Sequence, residues 1–213
     1  MIVLEPKLEK IKDKILKYFP RYGAHTFDHT ERVYSLAVRI AEKEDKAIIE
    51  VVKLAALLHD IARAAEGDHA IKGSKMARNI LIEEGYGKQI IDHVCGCIET
   101  HRYSKRLKPR SIEGAIIQDA DRLDSLGAII IARTFGSGLS KRRPMYDPDI
   151  PPSEIYSSRR NIGKTSFNHL KEKVLKITPD NFKSKIAKKI AKSRHKFVQD
   201  FVERFEKEWT GEL

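Results

Sequence analysis

Cysteine is scarce in this chain: only Cys95 and Cys97 occur. Two positions apart in a helical pattern, they point to different sides of the helix, which rules against a disulfide between them. They read instead as small buried apolar groups in a reducing cytoplasm. Long hydrophobic runs are also missing. No stretch approaches the roughly 20 apolar residues of a membrane span, and no N-terminal run resembles a signal peptide, so a soluble, cytoplasmic protein is expected. Strand-like alternation, internal repeats and low-complexity linkers are absent too. Disulfide scaffolds, membrane proteins and repeat arrays are thereby set aside.

What remains is helical periodicity and charge. The chain has 213 residues, 33% of them charged, with a formal net charge of +11 and a pI near 9.6. Such a length suits one sizeable domain. The positive excess attracts nucleotides, phosphate esters or other anions from a distance. Because it is spread along the chain rather than gathered in one tail, a dedicated nucleic-acid arm is not favoured.

Apolar residues recur at helical offsets. Leu4, Leu8, Ile11, Ile15 and Phe19 predict an opening helix closed by Pro20, and His29, Val33, Leu36, Ala37 and Ile40 form one stripe of a second. Val51 to Leu58 is apolar nearly all round, as in a helix buried in a core. Further helices are expected from Ile71 to Gly85, over 88–101, from Ser111 onward, over Leu126 to Thr134 and near 166–176. Thr178-Pro179 should open a long terminal helix whose inner face carries Phe182, Ile186, Ile190, Phe197, Phe201 and Phe205. Residues 135–165, with Gly136, Gly138, Gly163, four prolines and interspersed Lys141, Arg142, Arg143, Arg159, Arg160 and Lys164, read as a basic loop and a candidate cationic lid. The fold class expected is all-α, in one domain over 1–213.

The buried helix ends in Leu57-Leu58-His59-Asp60. An imidazole and a carboxylate at the end of so apolar a helix are costly unless something satisfies them, and a divalent metal satisfies both. His29 faces inward on its own helix. Asp121 lies amid Asp119-Ala120-Asp121-Arg122-Leu123-Asp124, where caps and ion pairs account for the outer carboxylates better than for the middle one.

This order, a histidine, then His-Asp, then a distant aspartate, all on helices, resembles the HD superfamily of metal-dependent phosphohydrolases. The run Gln118 to Ile129, QDADRLDSLGAI, is similar to the small stand-alone HD proteins of bacteria and archaea. The resemblance covers about residues 25–177, leaving the helix over about 178–209 to pack on that HD-type bundle. It implies that His29, His59, Asp60 and Asp121 are metal ligands in the core, and that His69, followed by Gly73, and His101 are ligands of a second ion in binuclear members. Asp60 and Asp121 would then be catalytic, with Asp124 a further carboxylate for proton transfer. Arg63, Lys72 and Arg122, each beside a ligand, are candidates for substrate phosphate.

Imidazole and carboxylate together suit Mn, Fe, Co, Ni or Zn, as one ion or two, rather than Mg or Ca. The implied reaction is hydrolysis of a phosphomonoester or phosphodiester, with a small, nucleotide-like substrate. Two other readings remain at this point: a di-iron oxygenase built on the same ligands, and a non-catalytic helical module binding an anion or nucleic acid. The sequence leaves the substrate, the metal and dimerisation through the terminal helix open.

Overall fold

The computed structural model describes residues 4–22, 26–154 and 164–213; His25, Arg159, Arg160 and Gly163 lie outside them. No strand occurs among the described residues, and the chain is all-α. It divides into two compact units, Met1–Leu123 and Asp124–Leu213. Among the described residues no helix is long and apolar enough to cross a membrane.

The first unit holds α1 (Pro6–Ile15), α2 (Phe27–Ala41), α3 (Ile49–Leu58), α4 (His69–Glu83), α5 (Lys88–Thr100) and α6 (Ile112–Leu123). α3 lies at its centre, touching α1, α2, α5 and α6. That position explains its composition: Val51, Val52 and Leu54 to Leu58 are all buried because each face meets another helix. Val33, Ala37 and Ile40 of α2, Val94 and Ile98 of α5, and Ile116, Ile117 and Ala120 of α6 complete the core. α4 is packed on α5.

The helix boundaries follow local chemistry. The Asp68 side chain accepts the Ala70 N–H at 3.1 Å and caps α4, and Gly85, at φ +71°, follows its end in the left-handed region. The Ser111 hydroxyl accepts the Gly114 N–H at the start of α6. Asp68 also takes Arg102 at 2.9 Å and Lys105 at 3.3 Å. The Arg102 hydrogen bond chiefly holds its carboxyl at about 2, below the ordinary 3.8.

A carboxylate depressed in the folded state stabilises it above the unfolded pKa, and that stability fades as pH falls through the folded one. Asp68→Asn keeps the cap and loses the charge. We expect it to cost less than about 1 kcal/mol at pH 7, because the pair is solvent-screened. Urea unfolding across pH should show the gap between the two chains closing between 3.8 and about 2.

The second unit holds α7 (Ala128–Ser140), α8 (Ser166–His169), which runs into a π-helical turn at Leu170–Val174, and α9 (Lys185–Thr210). Phe167, Leu170, Val174, Ile177 and Phe182 are buried in it. Asp124, buried, takes Arg133 at 2.6 Å and anchors the start of α7. Three expectations are corrected. Residues 135–140, expected to begin the loop, continue α7, because Gly136 and Gly138 are accommodated inside the helix.

Glycine at 138 reflects a close approach: a Cβ there would lie 1.9 Å from Ser166 Oγ and 3.1 Å from Ser166 Cβ. Gly138→Ala should therefore lower stability by about 1–3 kcal/mol, the usual cost of overpacking, measured by denaturant unfolding.

Second, Thr178-Pro179 opens only the short 3-10 turn Pro179–Asn181, since Phe182 is extended; the long helix starts at Lys185 behind a Ser184 cap. Third, its buried residues are Ala187, Ala191, Val198 and Val202, while Phe197 is 50% exposed. Phe205 does turn inward, stacking on Phe167 with ring centroids 4.4 Å apart.

Candidate metal centre

All six sequence-derived ligand candidates converge within the first unit, each at or beside a helix end. His29 is in the first turn of α2, His59 and Asp60 follow α3, His69 opens α4, His101 follows α5 and Asp121 is in the last turn of α6. Three of these five ends are C-termini, whose unpaired carbonyls favour a positive charge.

The six side chains form two trios, His29–His59–Asp121 and Asp60–His69–His101, whose donor atoms lie within 4.8 Å of one another in each. Asp60 joins them. Its Oδ1 stands 3.5 Å from the Nε2 of both His69 and His101, and its Oδ2 stands 3.7 Å from His29 Nε2 and 4.0 Å from His59 Nε2. His29 Nε2 also lies 3.3 Å from Asp121 Oδ1 and 3.3 Å from His59 Nε2. One carboxylate thus offers an oxygen to each trio.

Backbone carbonyls orient two of the rings. His59 Nδ1 donates to the Ala56 carbonyl at 2.9 Å and His101 Nδ1 to that of Ile98 at 2.6 Å. A carbonyl can only accept, so Nδ1 carries the proton and Nε2 is turned to the cluster. The end of α5 is further fixed by buried Gln118, which donates to the Thr100 carbonyl at 2.6 Å and to that of Leu107 at 3.0 Å. Sequence reasoning did not single out Gln118 or the two carbonyls. A carbonyl has no residue signature, and in the sequence Gln118 stands only at the edge of a motif.

Electrostatics favour a cation at this point. Burial drives His59 down, towards the neutral form that binds metal. Burial, reinforced by Arg63, brings His69 down to about 4. Burial alone would raise both carboxylates, but it is outweighed: His59, His101 and Arg63 hold Asp60 well below the ordinary range, and the His29 hydrogen bond with the neighbouring imidazoles does the same for Asp121. His101 goes the other way, since contact with Asp60 overcomes burial and raises it. Two ionised carboxylates facing imidazole nitrogens in a buried space form a donor set suited to a divalent metal. The site opens towards Asp121, whose side chain is 24% exposed against 7% or less for the other five.

The remaining candidates fall around this cluster. Arg63 Nη1 lies 3.0 Å from His69 Nε2. Arg122 is buried, its guanidinium 4.7 Å from the centre of the Tyr103 ring. Lys72 is exposed on α4, its amine beside Gly67. Asp124 belongs to the second unit, where it is held by Arg133. His93 pairs with buried Glu113 at 2.8 Å and is not part of either trio. Cys95 donates to the Ser74 carbonyl and Cys97 contacts Ser111, so both thiols are free and face different neighbours.

A family model for the HD domain matches residues 26–126, a span that contains all six clustered residues. The protein YpgQ of Bacillus subtilis is 32% identical over 193 residues, covering 89% of this chain and 86% of YpgQ. The chain belongs to the HD superfamily. Among HD structures, an HD-superfamily hydrolase from Bacillus thuringiensis superposes with a TM-score of 0.73 at 38% identity, covering 96% of this chain and 98% of that one. YpgQ in complex with ADP gives a TM-score of 0.73 at 28% identity, covering 95% of this chain and 94% of that one. Ribonuclease Y of Symbiobacterium thermophilum is 33% identical over 122 residues, 57% of this chain but only 22% of that longer protein. The HD family expected from the motifs is therefore the family found, and its all-α architecture is the one observed.

Proposed function

We propose that this HD protein is a metal-dependent phosphohydrolase that cleaves a phosphomonoester or phosphodiester of a nucleotide-like substrate by attack of water. The observation that carries the proposal is Asp60, whose two oxygens face separate groups of imidazoles. His29, His59, Asp60 and Asp121 would hold one divalent ion, and His69 and His101 with Asp60 a second. When bound, the metal lowers the pKa of water towards neutrality and screens charge developing on the phosphoryl group.

The chain's own residues do the rest. His59 and His101 are aimed by their backbone acceptors, so the donor geometry exists before loading. Asp121, ionised and the most exposed of the six, can accept a hydrogen bond from the attacking water and orient it. Arg63 contributes positive charge beside His69 for a substrate phosphate, and its present contact with His69 Nε2 must be released for that nitrogen to become a ligand. Arg122, buried against Tyr103, braces the end of α6, and exposed Lys72, one turn from His69 on α4, would add positive charge for the substrate. The ADP complex of YpgQ supports a nucleotide-like ligand, and the partial likeness to ribonuclease Y supports phosphoester chemistry.

The test is a screen of purified protein, supplied with Mn, Fe, Co, Ni or Zn, against nucleoside phosphates, cyclic nucleotides and sugar phosphates. Release of phosphate, pyrophosphate or a nucleoside monophosphate that depends on the metal is expected. Silence across the panel with every metal would overturn the assignment, and oxygen uptake by a two-iron form would replace it with an oxygenase.

A further inference from the structure

The second unit exposes an apolar face that the metal-centred reading does not use. α7 carries a single charged residue, Arg133, which Asp124 holds at 2.6 Å. With 33% of the chain charged, a surface helix of 13 residues would ordinarily carry about four such residues. The exposed positions of α7 are instead Ala128, Ile129, Ala132, Gly136, Leu139 and Ser140, with Leu139 80% and Ile129 46% exposed. Exposed apolar area concentrated in one place marks an interaction surface.

α9 lies beside this face. A Cβ on Gly127, which precedes α7, would stand 3.2 Å from Arg194, and farther along Phe135 meets Phe201 and Phe205 with ring centroids 6.2 and 6.1 Å apart. The two helices therefore run side by side in the same direction. Ile186, Ile190, Phe197 and Phe201, at offsets of four and seven, share one stripe of α9, and none of them is buried. Phe201 stands at the seam with α7, and half-exposed Phe197 stands at the midpoint of α9.

The charge of α9 changes sign at that midpoint. Lys185, Lys188, Lys189, Lys192, Arg194 and Lys196 precede Phe197 with no carboxylate among them. Asp200, Glu203, Glu206 and Glu208 follow it, against Arg204 and Lys207. Such a helix is complementary to a copy of itself laid antiparallel, because each basic half then meets an acidic half. RNA or an anionic lipid surface would be drawn to the first half and repelled by the second. At about 1.5 Å per residue and about 10 Å width, α9 and α7 together present about 600 Å², not far below the ~800 Å² that one partner gives to a standard interface.

We propose that this face binds a second copy of the chain, forming a two-fold dimer whose α9 helices pair antiparallel about Phe197. The exposed side of α7 widens the contact. Lys189, Lys196, Asp200 and Glu203, at offsets of seven, four and three, lie along one flank of the apolar stripe. The two-fold axis sets Lys189 of one copy near Glu203 of the other. It also brings the Lys196–Asp200 pair of each copy beside that of the other, as a network of four charges. This inference does not depend on the metal chemistry.

Sedimentation equilibrium of the full chain over about 1–100 μM is the test, with a mass of twice 24.4 kDa and a Kd of about 10 μM or tighter expected. Phe197→Glu should weaken association about a hundredfold or more and Leu139→Lys about tenfold, while Ile82→Glu, at an exposed position of α4, should change nothing. Circular dichroism should match the parent in all three, since each side chain is at least half exposed. Lys189→Glu and Glu203→Lys should each weaken association about fivefold, and the two together should restore it. A monomer at every concentration, or a dimer that both Phe197→Glu and Leu139→Lys leave intact, would overturn the proposal. Failure of the double exchange to restore association would overturn the antiparallel pairing. A monomeric parent that binds an RNA oligonucleotide or phosphatidylserine vesicles, and loses them in Lys189→Glu, would give the face to an anionic partner instead. Asp60→Ala should still dimerise, so this proposal and the phosphohydrolase assignment fail separately.

Discussion

Replacing Asp60 with alanine is expected to abolish hydrolysis, lowering kcat by about a thousandfold or more, equivalent to about 4 kcal/mol of barrier. The size follows from geometry. Asp60 faces both trios, with Oδ1 towards His69 and His101 and Oδ2 towards His29 and His59. Its loss takes away the carboxylate that both proposed ion positions would share, leaving four imidazoles and one carboxylate. The isosteric Asp60→Asn should fail almost as badly, because it keeps the shape but loses the negative charge that offsets a dication. Circular dichroism should show the helices intact in both, since no helix is capped by Asp60. Activity within about tenfold of the parent in either variant would remove Asp60 from the mechanism.

Adding and withdrawing metal should move the melting temperature substantially. An ion present at about a hundred times its Kd stabilises the folded state by about 2.7 kcal/mol. For a chain of this size that corresponds to a rise of about 5–10 °C in Tm, reversed by a chelator. His29→Ala should lose most of the rise, since His29 Nε2 lies 3.3 Å from Asp121 and 3.7 Å from Asp60. His93→Ala is the informative comparison. It breaks the pair with buried Glu113 and should lower the starting Tm, yet it should leave the metal-dependent rise unchanged. Scanning calorimetry of the three proteins with and without metal separates coordination from general damage to the core.

Much of this site was legible because its residues conflict with their surroundings. His59 and Asp60 are polar groups at the end of a helix that is otherwise apolar, and His29 lies on a stripe of core residues. Those conflicts, with the motif order, pointed to the residues that the fold brings together. The division of Asp60 between two trios was not legible, since it depends on the angle of one carboxylate among five helix ends. The Ala56 and Ile98 carbonyls that aim the imidazoles were equally hidden.

In the second unit, Gly136 and Gly138 looked like helix breakers because a glycine's reason for being there is often another chain segment. For Gly138, Ser166 supplies that reason; a Cβ on Gly136 would meet nothing within 4 Å. The long C-terminal helix is legible from its apolar stripe, but its buried residues are Ala187, Ala191, Val198 and Val202, and of its aromatics Phe205 stacks on Phe167 while Phe197 stays half exposed.

The most direct test of the central claim, that these six side chains hold divalent metal at one or both trios, is elemental analysis of desalted protein, comparing the parent chain with Asp60→Ala. The account predicts at least one equivalent of a divalent transition metal per parent chain and little or none in the variant. A parent chain that retains no metal after dialysis against an excess, or a variant that retains as much as the parent, would contradict it.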